Sequence, residues 1–380
     1  MAMLEKTHEM IRKLAREFAE QELGPRAAQV DETGCFSQEA IDLIQKSKFN
    51  SITIPKAYGG CGGDYRSAAI VMEEFARKCG ASCSYIMPNS LSGAPLMYFG
   101  NEQQKQKYLR GMAEGTLVGA FGITEPGAGS DTAAITTTAD KDGDHYILNG
   151  RKCFISNGPN CDFITVFAKT DVTAKGVSGI SAFIVEANLP GFSRGKIENK
   201  LGIHGSKTCD IIMENVRVPK ENLLGREGQG FKICMVTLDS GRITVAAQGL
   251  GLAQGALDEA LKYTQERIQF GRPISTLQNT QFELADMATR VECGRLLVMQ
   301  AAYMKDSGKA ITTQAAMAKY YCGELCNNIA YRSLQLHGGY GFMKDYPIER
   351  IFRDSRIVSI YEGTSEIQKL VIAGNLLAKR

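Results

Sequence analysis

Near one end of the chain, Ile360-Tyr361-Glu362-Gly363-Thr364-Ser365-Glu366 sets a carboxylate between a phenol and a glycine. A carboxylate held in a dry, aromatic-lined site has its pKa raised toward neutrality and becomes a useful general base. The same residue also fits a helix start, because acidic groups are favoured near helix N-termini and the Thr-Ser pair can cap a helix over residues 367–378. Two further stretches suit a polar ligand. Phe121-Gly122-Ile123-Thr124-Glu125-Pro126-Gly127-Ala128-Gly129-Ser130-Asp131 is a glycine- and hydroxyl-rich loop whose backbone N–H groups can wrap a heterocycle. In Asn149-Gly150-Arg151-Lys152-Cys153-Phe154-Ile155-Ser156-Asn157-Gly158 an aromatic stands two residues before a hydroxyl, which on a strand puts both on one face.

Other chemistry is disfavoured by spacing. Gly202-Ile203-His204-Gly205-Ser206-Lys207-Thr208 lacks the Gly-Lys-Thr order of a phosphate-binding loop. Gly249-Leu250-Gly251-Leu252-Ala253-Gln254-Gly255 misses the dinucleotide spacing and sits in a helical pattern with no preceding strand, so its glycines are expected to permit close helix packing. The four histidines are far apart, and Cys322 and Cys326 share a helix face without an evident third ligand, so no metal site is expected.

The elements that must position these groups are read from composition and periodicity. A chain of 380 residues, 44% hydrophobic, can bury a large core in two or three domains. Lysine plus arginine (44) nearly balances aspartate plus glutamate (41), which gives no electrostatic case for nucleic acid. No apolar leader and no run of roughly 18 apolar residues occurs, and the eleven cysteines follow no secreted framework. A cytoplasmic protein with no membrane span is expected. Residues 1–118 read as helices: Ile11, Leu14, Ala15 and Phe18 form one apolar stripe ended by Gly24-Pro25, Ser37 caps a second helix, and a third runs over 66–78. Residues 119–228 turn to short β-rich runs at 163–167, 180–185 and 211–213. Residues 229–380 return to helices over 242–267, 278–306 and 312–336, with a last one after Gly363, as in a four-helix bundle. The fold class is thus mainly α with a central β domain, in the order helical, β, helical.

Taken together, these motifs, with Arg267-Ile268-Gln269-Phe270-Gly271 and Gln335-Leu336-His337-Gly338-Gly339-Tyr340-Gly341, resemble the acyl-CoA dehydrogenase family over essentially the whole length. The resemblance implies FAD as cofactor and a homotetramer. It places Phe121, Ile123, Thr124 and Ser130 along the flavin and the acyl-CoA entrance, and Phe154, Ile155 and Ser156 on the isoalloxazine. Arg267, Phe270 and Gln278 would hold the diphosphate and adenosine across a subunit interface with Gln335, Leu336, His337, Gly338 and Gly339, and Thr364, Ser365 and Glu366 would complete the cofactor site. Family members often carry Trp in place of Phe154, Thr in place of Ser156 and an amide in place of Glu366; this chain has no Trp.

The resemblance assigns substrate contacts to Ser130, Leu238, Asp239, Arg242, Tyr361 and Gly363, although Asp239 and Arg242 equally suit a buried structural ion pair. Some relatives carry the base where Gly241 stands, which leaves Glu362 as the catalytic residue. Glu362 would take the α-proton of an acyl-CoA while a β-hydride passes to flavin N5, and its backbone N–H with a ribityl hydroxyl would hold the thioester oxygen, at roughly 3–4 kcal/mol for such a donor. Electrons would be exchanged with an electron-transfer flavoprotein. The stretch 235–248 is similar to short-chain, butyryl-type members, and Pro88-Asn89-Ser90-Leu91-Ser92-Gly93, within the expected acyl-tail region 82–97, is similar to reductases of arylacrylyl-CoA such as caffeyl-CoA. A short-chain dehydrogenase is the first reading and an enoyl-CoA reductase the second. A flavin monooxygenase or oxidase would usually lose the glutamate, and a non-catalytic bundle would be expected to show a damaged flavin loop.

Overall fold

A computed structural model describes residues 4–85 and 87–378, without the side chains of residues 87–90; the expected tail-region residues Met87, Pro88, Asn89 and Ser90 are therefore outside the described side chains. The first described helix is α1 (Lys6–Phe18), which widens into a π-turn over Ala19–Leu23 and ends at Gly24. Its inward face carries His8, Ala15 and Ala19, with Ile11 and Phe18 half-buried, but Leu14 is 51% exposed. Leu14 lies about 100° around the helix from Ala15, just off the stripe, so it does not join the core as expected. Ser37 caps the helix Gln38–Ser47 by accepting from the Ala40 N–H at 3.3 Å. Asp64 does the same for α2 (Tyr65–Lys78), and α3 (Met87–Phe99) follows.

The β domain is one eight-stranded sheet: β1 (Gly119–Gly122), β2 (Thr138–Asp142), β3 (His145–Ser156), β4 (Phe163–Lys169), β5 (Ile180–Glu186), β6 (Phe192–Ile197), β7 (Thr208–Pro219) and β8 (Leu223–Leu224). The order is β6-β7-β3-β2-β4-β5-β8, and β1 pairs β4 in parallel. The first six residues of β4 and of β5 are buried, so these strands show no half-exposed alternation. Alternate side chains serve two cores: Phe163 and Phe167 pack toward α3 and the following helices, whereas Ile164, Val166 and Ala168 pack inside the sheet. Each large apolar side chain removed from water in this way contributes about 1.5–3 kcal/mol.

Four long helices follow: α4 (Gly230–Glu266), α5 (Gln278–Asp306), α6 (Thr312–His337) and, after the short α7 (Pro347–Ser355), α8 (Ser365–Leu377). The first starts at Gly230 rather than at residue 242, because Asp239-Ser240-Gly241 is helical here despite its turn-like composition. Its glycines do admit neighbouring helices: a β-carbon on Gly251 would lie 2.2 Å from the Glu73 carbonyl of α2, and one on Gly255 2.4 Å from that of Arg77. The helices from both ends of the chain consequently share one core, in which Ala15, Phe75, Leu250 and Cys322 all take part. All eleven cysteines are unpaired, and among the described residues no helix is long and apolar enough to cross a membrane.

Candidate active site

Glu362 stands two residues before the cap of α8, where the Thr364 hydroxyl accepts from the Ile367 N–H at 3.4 Å. It is therefore not the helix-start residue. Its backbone turns left-handed, with φ +52°, and Gly363 follows at φ +92°. A left-handed non-glycine residue costs about 1–2 kcal/mol and persists only when its surroundings hold it. The Gln368 side-chain amide does so by donating to the Glu362 carbonyl at 3.2 Å and the Gly363 carbonyl at 3.0 Å, and the Lys319 ammonium donates to the Gly363 carbonyl at 2.6 Å. Tyr361 is anchored through its hydroxyl to Gln248 of α4.

This turn drives the carboxylate against the middle of α4. A β-carbon on Gly241 would lie 2.3 Å from Glu362 Oε2 and 2.9 Å from Leu91 Cδ2 of α3, so glycine is the residue that leaves room for the acid. Both carboxylate oxygens are closed off from solvent and, among the described residues, accept no hydrogen bond. Burial pushes the Glu362 carboxyl up to about 7, against the opposing pull of Lys319 and Arg242. Leu91 also brings the expected acyl-tail segment to the base. Gly241→Ala is expected to destabilise the protein by about 1–3 kcal/mol through overpacking, which exceeds the gain of about 1 kcal/mol that alanine normally brings to a helix interior. A melting temperature at or above the parent's would contradict this packing.

Arg242 is buried and donates to Asp239 Oδ1 at 2.8 Å, while Thr312 donates to Asp239 Oδ2 at 2.6 Å. Among the described residues Arg242 Nε has no partner, so the pair is structural on one edge and open on the other. Leu238, half-buried, packs on the core between sheet and helices.

The residues chosen for the cofactor fall into two groups. Along the sheet, Phe121 packs on Phe167 with ring centres 5.1 Å apart, Ile123 is buried, Thr124 is half-buried and Ser130 is exposed. The Cys153 N–H donates to the Thr124 carbonyl at 2.9 Å, which seats the glycine-rich loop beside β3. There the register slips between Lys152 and Ile155, and Phe154 takes φ +59°. Phe154 is 70% exposed and Ser156 is half-buried, while the Ile155 side chain is packed into the sheet core, so only its backbone can face a ligand. Sequence reading passed over Glu125 and Lys152, which form a fully buried ion pair at 2.7 Å within these same motifs. Glu125 also accepts from the backbone and hydroxyl groups of Thr136 and Thr137.

The second group lies at the far end of α4 and α6. Arg267, Gln335, Leu336, His337, Gly338 and Gly339 line one open hollow of about 460 Å³. Nothing lies within 4 Å of a β-carbon placed on Gly338 or Gly339, so the backbone there is bare for close approach. The His337 ring is not free for a ligand: it is buried, stacks on Tyr263 at 4.2 Å, and its Nδ1 bonds the Ser333 carbonyl at 2.8 Å. Phe270, 90% exposed at φ +52°, and the exposed Gln278 do not line the hollow. Neither do the sheet residues of the first group. Beside Glu362, Thr364 is committed to its cap, the Ser365 hydroxyl donates to Glu324, and Glu366 is exposed.

An arginine beside a bare glycine backbone suits a diphosphate, and an exposed aromatic next to a hydroxyl suits a flat heterocycle, so the two groups fit the two ends of a flavin dinucleotide. Of seven non-glycine residues with left-handed φ among the described residues, Phe154, Phe270 and Glu362 are three, and strain of this kind gathers at functional sites.

Several known proteins are similar to this chain over nearly its full length. Family models match in chain order: acyl-CoA dehydrogenase N-terminal domain over residues 5–116, middle domain over 120–216 and C-terminal domain over 228–377. The chain is 52% identical to a caffeyl-CoA reductase–Etf complex subunit of Acetobacterium woodii, covering 98% of both chains. It superposes with a TM-score of 0.96, at 48% identity and 98% coverage of each chain, on a chain solved in work on the electron transferring flavoprotein of Acidaminococcus fermentans. Butyryl-CoA dehydrogenase of Megasphaera elsdenii gives a TM-score of 0.95 at 43% identity, covering 98% of this chain and 99% of that one. This chain belongs to the acyl-CoA dehydrogenase family, whose members use FAD.

Proposed function

We propose that this chain is a cytoplasmic, homotetrameric, FAD-dependent dehydrogenase of short acyl-CoA thioesters that exchanges electrons with an electron-transfer flavoprotein. The observation that carries the reading is Glu362, a carboxylate closed off from water, without a hydrogen-bond partner among the described residues and raised to about 7, where a base is most useful near neutral pH. Glu362 removes the α-proton of the thioester, and the left-handed turn presents the Glu362 N–H as a donor to the thioester oxygen. Gly241 and Leu91 shape the wall opposite the base. Phe154, Ser156, Thr124 and Ser130 hold the flavin end of FAD, and Arg267 with Gln335–Gly339 the diphosphate end of a cofactor shared between two copies of the chain. Bound FAD supplies the acceptor for the β-hydride. Exposed Phe270, Phe342 and Leu377 offer apolar surface for assembly, and unpaired cysteines suit a reducing compartment.

One observation favours a second reading. The relative at 52% identity is a caffeyl-CoA reductase subunit, and with Glu362 returning the α-proton the same residues would serve reduction of a 2-enoyl-CoA. Purified protein is expected to be yellow, and butyryl-CoA should bleach its flavin. A panel of straight-chain and aryl thioesters, assayed in both directions with an electron-transfer flavoprotein, separates the two readings. Colourless protein that cannot take up FAD would end both.

A further inference from the structure

Lys319 of α6 is wholly buried, and among the described residues no carboxylate lies within 4 Å of its ammonium. An ammonium without a close counter-ion is expensive to bury, so its position calls for a reason. The hydrogen bond it makes is to the Gly363 carbonyl, at 2.6 Å. That carbonyl belongs to the second of two consecutive left-handed residues, and the first of them is the base. Gln368 supplies the other bonds to this turn, but its amide carries no charge.

We propose that Lys319 is a positioning residue for the base, fixing the Glu362–Gly363 turn through the Gly363 carbonyl and holding the neighbouring carboxylate ionised with its positive charge. The inference rests on the reading of Glu362 as the base. Lys319 and Arg242 are the two cations acting on Glu362, from α6 and α4 respectively, and Tyr361 is its phenolic neighbour. Glu362, Arg242, Cys326 and Glu324 in turn act on Lys319. Burial lowers the Lys319 ammonium to about 8, partly restored by Glu362, and Lys319 is the foremost charge opposing the rise at Glu362. Asp239 is already engaged by Arg242, which leaves Lys319 as the cation whose hydrogen bond goes to the turn itself.

The test compares FAD-loaded parent, Lys319→Met and Lys319→Gln for exchange of the substrate α-proton as a function of pH. In both variants the rising limb should move up by about one pH unit or more, since burial of Glu362 is then less opposed. Exchange near neutral pH should fall about tenfold and recover in alkali. Lys319→Gln keeps a donor for the Gly363 carbonyl and should retain the parent's KM more closely than Lys319→Met. A second readout needs no cofactor: melting temperature against pH, with Glu362 and with Glu362→Gln in each background. The paired curves part from about 4.5, where the unfolded carboxyl ionises, and run parallel again above the pH at which folded Glu362 ionises; that upper pH and the final gap should both rise when Lys319 is neutralised. An unchanged limb, with the paired curves levelling off at the parent's pH and gap in folded variants, would reduce Lys319 to a core filler. Absence of exchange in the parent itself would instead remove the proposed function, while the melting curves would still decide whether Lys319 acts on Glu362. If Lys319→Met does not fold, Lys319→Gln carries both readouts.

Discussion

Glu362→Gln should reduce α-proton exchange and turnover by about 10²–10⁴-fold, the usual contribution of a positioned general base, while FAD is still taken up. The amide keeps the shape of the side chain and loses the ability to accept the proton. The same variant should alter stability in a pH-dependent way. The folded protein holds the carboxyl at about 7, above its ordinary 4.5, so it binds the proton more tightly than the unfolded chain does. Stability from this group is fully present below about 4.5 and is lost as pH rises through about 7. Allowing for the residue's partial exposure, the loss is on the order of 2 kcal/mol. Cofactor-free Glu362→Gln should therefore match the parent near pH 5 and melt higher than it near pH 8. Retained exchange would move the base elsewhere, and parallel melting curves would mean that the carboxylate is better solvated than its closed-off oxygens indicate.

The largest stability effect is expected at the clamp between the glycine-rich loop and β3. The Lys152 and Glu125 side chains are 0% and 3% exposed. Burial disfavours the Glu125 carboxylate, but the charge and hydrogen bond of Lys152, with those of Thr137 and Thr136, outweigh it and bring Glu125 down to about 2. For Lys152 burial wins over the attraction of Glu125, and the ammonium is held below its ordinary value. The pair is therefore no large net source of stability, yet removing half of it is severe. Glu125→Gln leaves Lys152 as a buried charge without its partner and should cost about 3–5 kcal/mol, on the order of 10 °C in melting temperature. Adding Lys152→Met to it should recover part of the loss. Because Glu125 is depressed, its contribution is present above about 4.5 and lost as pH falls through about 2, so the parent should lose this advantage in acid and the variant should not. A Glu125→Gln protein melting within about 2 °C of the parent would rule the clamp out.

How much of this was legible beforehand depended on whether a residue's reason lay near it in sequence. The Ser37 cap, the packing glycines of α4 and the Tyr361-Glu362-Gly363 turn carry their chemistry locally. Leu14 did not, because apolar residues one position apart on a helix differ by about 100° and only the neighbouring helices decide which is covered. The early start of α4 was hidden for a related reason. Gly241 reads as a helix breaker until the carboxylate of Glu362, 121 positions later in the chain, is seen to occupy its space. Glu125 and Lys152 stood in plain view inside motifs chosen for a cofactor, but nothing in their spacing says that the two charges meet in the interior. Lys319 gave no signal at all: a lysine in a long amphipathic helix normally faces water. The strands β4 and β5 were found, but their two-sided burial follows from the helices laid over the sheet and not from any alternation along the chain.

The placement of Glu362 near neutrality has a consequence for metabolic throughput. For a free enzyme whose base titrates at about 7, roughly half of the molecules are competent at pH 7, and only about a tenth one pH unit lower. Acidification of the surroundings would then throttle kcat/KM about fivefold without any effector, so a cell that accumulates acid would slow this step through the protonation of one side chain.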